Sequence, residues 1–129
     1  YENKKGRIVD SEKLVGLKML KDRVALISEK CKGLICEGNR YFDLKKCGIG
    51  YHGDGERKKV VGVRIGAPLD LHFQWFHRFK AVGENVMIRL ESGDLYMMSE
   101  KAVGYDWKKS SGLTLRHATG ASKYTKLSK

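Results

Sequence analysis

The sequence is poor in proline and cysteine, short of acidic residues, and has no long apolar run. It has a single proline, Pro68, against 15 glycines, a balance that suits strands joined by tight turns and excludes a proline-rich, extended chain. No apolar stretch approaches the roughly 20 residues needed to cross a bilayer as a helix. The opening Tyr1-Glu2-Asn3-Lys4-Lys5 is polar and does not read as a secretory leader. The three cysteines, Cys31, Cys36 and Cys47, are odd in number. Reduced thiols in an intracellular compartment, cytoplasmic or nuclear, are therefore expected. Asp and Glu total 15 against 26 Lys and Arg, a formal net charge of +11. A polyanionic partner fits this charge, with nucleic acid first, and the lack of a long apolar run leaves no membrane partner expected.

With 129 residues, 41% of them hydrophobic, the chain is read as one domain able to bury a core. Leu14, Leu17, Val24 and Ile27 recur near helical spacing behind Ser11, which reads as an N-cap. A helix is expected over 12–31. From Gly33 onward short β-rich runs take over: Leu34–Cys36, Tyr41–Leu44, Lys59–Ile65, Leu71–Phe76, Val86–Leu90 and Leu95–Met98. Turn signals such as Gly53-Asp54-Gly55, Gly66-Ala67-Pro68 and Ser92-Gly93-Asp94 separate them. A last pair, Gly112–His117 and Lys123–Lys126, closes the series. One helix and about eight strands read as mainly β, a closed or double-sheet structure over 34–127 with a helix packed outside.

His52-Gly53-Asp54 is the segment that carries chemistry. On a strand, residues i and i+2 share a face, so an imidazole and a carboxylate aim at one point. With a second histidine from a distant strand they would form the facial triad of non-haem Fe(II) oxygenases. A competing set, Cys31-x4-Cys36-x10-Cys47-x4-His52, has zinc-ligand chemistry but matches no common finger spacing. Tyr105 and Trp107, in a polar loop with Lys108 and Lys109, are candidates for substrate contact through base stacking. No nucleotide-binding glycine loop, nucleophile elbow or Cys–His catalytic pair is present.

The segment Ile49-Gly50-Tyr51-His52-Gly53-Asp54-Gly55-Glu56 resembles the Ile-Gly-Trp-His-x-Asp-(Asp)-Glu stretch of AlkB-like Fe(II)/2-oxoglutarate-dependent dioxygenases. Asn39-Arg40-Tyr41 is similar to that family's Asn-x-Tyr. The run Ile88–Ser99 is similar to its apolar strand, Gly-Asp turn and following strand. Trp107-Lys108-Lys109 and Leu113-Thr114-Leu115-Arg116 resemble its C-terminal motifs. The resemblance spans about residues 39–117 and implies a double-stranded β-helix (jelly-roll) fold. It also implies iron, 2-oxoglutarate held by Asn39, Tyr41 and a basic residue, and hydroxylation or demethylation of a substrate. That substrate would be a modified base in nucleic acid, or a protein side chain as in the hydroxylase members.

Two positions depart from the family. Its distal iron ligand aligns with Lys109, whose amine is protonated near neutral pH, and a second C-terminal arginine aligns with Ser110. Ligand chemistry instead favours His117 as the third ligand beside His52 and Asp54. Arg116, Lys123 and Lys126 are the candidate anchors for 2-oxoglutarate; with His117 on iron the expected anchor is Lys123 or Lys126, in the role that a lysine after the distal histidine plays in prolyl-hydroxylase-like members. If Arg116 is the anchor, adjacent His117 should face away from it. The alternative is a basic jelly-roll module that binds nucleic acid without catalysis and keeps only a degenerate metal site.

Overall fold

A computed structural model describes residues 8–127. The chain divides into two compact units, one ending at Asn39 and one beginning at Arg40.

In the first unit the expected helix over 12–31 is shorter and flanked by single turns. A 3-10 turn, Ser11–Lys13, comes first. The α-helix α1 spans Val15–Ala25, and a second 3-10 turn covers Glu29–Cys31. Asp10, not Ser11, caps the first turn, its carboxylate accepting from the Glu12 amide at 3.0 Å. The Ser11 hydroxyl instead accepts from the Lys21 ammonium at 2.9 Å. The helical period breaks at Ser28, whose backbone is extended (φ −162°, ψ 149°) and whose hydroxyl caps the next turn. A serine that bonds its own downstream amide competes with helix continuation.

The second unit is built on antiparallel sheets. Strands β1 (Gly48–His52), β2 (Val60–Val63), β3 (Leu69–His77), β4 (Lys80–Leu90), β5 (Leu95–Met98) and β6 (Leu113–Gly120) are joined by short turns. A four-stranded sheet runs β1-β6-β3-β4, and β2 pairs with β5 in a two-stranded sheet. The molecule is therefore mainly β. Three of the expected strands do not form. Leu34–Cys36 is irregular. Tyr41–Leu44 runs into a turn in which the Asp43 carboxylate accepts from the Lys45 amide at 2.9 Å, the usual Asx competition with strand pairing. Lys123–Lys126 is not a strand either; Ser122–Thr125 forms a one-turn helix, α3. Gly120 causes this change of direction. Its φ of +99° turns the chain, and a Cβ there would strike the Cys47 carbonyl and Gly48 Cα.

The two sheets share one small core. Leu71 from β3 packs with Met98 from β5 and with Val103 of a short helix, α2 (Glu100–Val103), and Val60, Phe73, Leu90, Tyr96 and Ala102 surround them. Ser99 caps α2 by accepting from the Ala102 amide, and Gly104 ends it in the left-handed conformation. Opposite Gln74, β4 bulges through Gly83 and Asn85. The Gln74 amide, 1% exposed, donates to the Val82 carbonyl at 2.7 Å and to Gly83 at 3.3 Å, so the carbonyls freed by the bulge find a buried partner. No helix among the described residues is long and apolar enough to cross a membrane.

Candidate metal centre

A second bulge sets the geometry of the site. Between β1 and β6, Ile49 stands opposite Thr119 and His52 opposite His117. Gly50 and Tyr51 together therefore face the single residue Ala118. In an unbroken ladder His52 would oppose Arg116 and point to the other side of the sheet. The extra residue returns it to the side that His117 occupies. The two imidazoles lie with ring centroids 4.3 Å apart.

Asp54 completes the group from the turn after β1. Its amide donates to the Val103 carbonyl at 3.0 Å, tying the corner to α2. Its Oδ1 is 3.7 Å from His52 Nε2 and its Oδ2 is 3.8 Å from His117 Nε2. One ligand atom from each of His52, Asp54 and His117 lies within 4.8 Å of the other two, a group that could hold a metal ion. Cis ligands about 2.1 Å from an octahedral metal stand about 3 Å apart, so small side-chain rotations would close the site.

Gly53 is required by close approach. A Cβ there would collide with the Gly104 carbonyl and lie 2.7 Å from Cβ and Cγ of Trp107. The indole thus lies directly against the metal corner.

The orientation of His52 and the protonation state of His117 suit a cation. His52 Nδ1 is 2.8 Å from the Gly50 carbonyl. Only an N–H can bond there, so in the neutral ring the lone pair is on Nε2, the nitrogen facing Asp54. His117, 8% exposed, has its pKa lowered to about 4, first by burial and then by the neighbouring His52. Asp54 opposes that shift. The Ala102 backbone also favours the protonated ring, although His117 Nδ1 is buried without a hydrogen bond of ordinary geometry. The ring is neutral at physiological pH and can offer a lone pair. The Arg57 guanidinium, 3.8 Å from Asp54 Oδ2, is a site neighbour that sequence reading missed. Its position three residues after Asp54 in a turn was the available signal.

Of the remaining sequence candidates, Trp107 lies against the corner, and the others have surroundings of their own. Lys109 is not in the group; its ammonium sits 5.9 Å from the Tyr105 ring centroid. Arg116 faces the opposite side of the sheet from His117. There its guanidinium lies 4.2 Å from the Phe76 ring centroid and 5.2 Å from that of Trp107, and it donates to the Trp107 carbonyl at 3.3 Å. Asn39 is an exposed residue at the end of the first unit. Tyr41 is half-buried. Its phenol pKa is raised by burial and by the nearby Tyr96, and is opposed by the charge of Arg64. The Lys123 ammonium lies 4.9 Å from the Tyr124 ring centroid, and Lys126 is the exposed residue that ends α3. Cys31, Cys36 and Cys47 are free thiols, and His52 lies with Asp54 and His117.

On the His117 side of the sheet a cavity of about 340 Å³ opens between Phe73, Trp75, Val86, Ile88 and Leu115 of the sheet and Met97 and Ala102 opposite. Among the described residues no charged side chain lines it. Phe73 links it to the metal group, its ring centroid 6.2 Å from that of His117.

The chain is 46% identical over 126 residues to an uncharacterised protein of Acanthamoeba polyphaga mimivirus. The match covers 98% of this chain and 49% of the viral protein, so the chain spans about half the length of the curated relative it matches. No family model and no solved structure matches it.

Proposed function

We propose that this chain is the metal-binding core of an Fe(II)/2-oxoglutarate-dependent dioxygenase of the AlkB-like kind, acting on a modified base in nucleic acid. The observation that carries the reading is the convergence of His52, Asp54 and His117 from two strands and a turn. Two imidazoles and a carboxylate are the donor set of a facial Fe(II) site, which leaves positions for cosubstrate and dioxygen. A four-stranded and a two-stranded antiparallel sheet packed on one core support the double-stranded β-helix that the resemblance implies.

In this reading the chain's own groups do the positioning. The Gly50 carbonyl orients His52, the Val103 carbonyl holds the Asp54 backbone, and burial keeps His117 unprotonated. Iron with 2-oxoglutarate would supply the activation of dioxygen toward a C–H bond. Arg116, turned to the other face, is a poor anchor for the cosubstrate. Tyr41, with Tyr96 and Arg64 beside it, offers the hydroxyls and positive charge that a dicarboxylate needs.

The second reading, a nucleic-acid-binding module whose metal site is degenerate, is favoured by Arg116 facing away and by the uncharged lining of the cavity. Anaerobic Fe(II) titration followed by 2-oxoglutarate distinguishes the two. The dioxygenase reading expects a visible charge-transfer band, abolished in His117→Ala and kept in Lys109→Ala. Iron binding without the band would sink that reading and leave the second.

A further inference from the structure

The β3–β4 hairpin ends in a two-residue turn, Arg78-Phe79, between the paired His77 and Lys80. Both turn residues have positive φ, 48° and 65°. A turn of this hand normally recruits Asn-Gly, because side chains other than those of Asn and Asp enter the left-handed region at a cost. Here the strained positions hold an arginine and a phenylalanine, and Phe79 is 56% exposed. Strain kept in a loop tip points to a use for the side chains displayed there.

What surrounds the tip shows which use. The Arg116 guanidinium lies between the tip and the next loop, 5.7 Å from the Phe79 ring centroid and 5.2 Å from that of Trp107. Lys108 lies 5.7 Å from the Trp107 centroid and Lys109 5.9 Å from that of Tyr105. Rings and cations thus alternate across one region, with Arg78 and Lys80 exposed at its edge. The acid within the loop, Asp106, is already held by the Lys101 ammonium at 2.7 Å. Exposed and half-exposed rings among cations that have no acidic partner among the described residues match unpaired bases on a phosphate backbone, since every base has a face to stack and every phosphate a charge to neutralise.

We propose that the Arg78–Phe79 hairpin tip and the Trp107–Lys109 segment form a docking surface for an unpaired nucleic-acid strand, which meets the metal group only at Trp107. The surface is gathered around Arg116, on the side of the sheet that His117 does not face. Trp107 belongs to both regions, since it also packs on Gly53. The docking shares only its partner class with the proposed dioxygenase activity and needs no iron.

The test is fluorescence anisotropy of a labelled oligothymidylate with the full chain, repeated across salt concentrations and with a chelator. Phe79→Leu, which keeps apolar bulk and removes the ring face, is expected to weaken binding about tenfold. Arg78→Ala is expected to lower the log–log salt slope by about 0.7. Lys45→Ala, which removes one charge from a distant turn, should leave both quantities close to wild type, and the chelator should change nothing. Binding by Phe79→Leu equal to that of wild type would overturn the proposal. So would equal wild-type affinity for polyphosphate of matched charge, or a preference for anionic phospholipid vesicles over the oligonucleotide. Loss of the iron–oxoglutarate band with oligonucleotide binding intact would count against the dioxygenase reading alone.

Discussion

His52 stands directly across the sheet from His117 because Gly50 and Tyr51 together oppose the single residue Ala118. The bulge brings two imidazoles, far apart in the chain, to ring centroids 4.3 Å apart beside the Asp54 carboxylate. The same pairing separates His117 from Arg116. Neighbours on a strand face opposite sides, so Arg116 is carried away from the metal group, and Trp107 is the ring that touches both Arg116 and the metal corner.

Burial of neutral His117 ties the stability of the metal-free protein to pH. Its pKa is near 6.5 in the unfolded chain and about 4 in the fold. Between these values the unfolded state binds the proton and the native state does not, so stability falls as pH falls. The contribution is fully present above about pH 6.5 and lost by about pH 4, with a magnitude of about 3 kcal/mol. Urea unfolding of metal-free protein at a series of pH values measures it. His117→Gln should flatten the curve in that window, and an unchanged slope would contradict the assignment.

Gly53→Ala should damage both the fold and the metal corner. The new methyl meets the Gly104 carbonyl and the Trp107 side chain, neither of which is the free end of a flexible chain. A cost of about 1–3 kcal/mol is expected from overpacking. Weaker metal affinity should accompany it, because Asp54 is the next residue. Thermal unfolding and metal titration on one preparation read both effects. Gly16→Ala, where nothing lies within 4 Å, is the control expected to leave metal binding unchanged.

Relieving the hairpin turn should stabilise the protein. Arg78→Asn with Phe79→Gly supplies the residues that positive φ favours, and each strained residue now costs about 1–2 kcal/mol. Even partial relief should raise Tm by several degrees. The same double variant should bind oligothymidylate more weakly. A rise in Tm together with a loss of binding is the signature of strain retained for contact. A fall in Tm would show that the turn is not strained.

The local part of the site was legible in the residues themselves. His52-Gly53-Asp54 carries two ligands at a spacing that one strand end can present together, and an iron site's need for a neutral imidazole singled out His117 over Lys109. Alternating Val61 and Val63, and Phe73 and Trp75, marked strands because a half-buried strand repeats every second residue, while Ile65, which continued the pattern, lies exposed beyond the end of β2. The segments that did not follow the pattern failed for local reasons. Asp43 bonds its own turn, Gly120 takes a positive φ ahead of α3, and Ser28 interrupts the helical period.

The sequence by itself thus determined a basic, mainly β chain with a His-x-Asp corner and one distant histidine able to complete it. Only the tertiary structure decided that the bulge at Gly50 and Tyr51 turns His52 toward His117, that Arg116 is carried to the opposite face, and that Trp107 closes over Gly53. The physical reason is that face and register belong to a pair of strands. A single extra residue reverses which side a side chain occupies, and one strand's own residues do not reveal which partner it will meet.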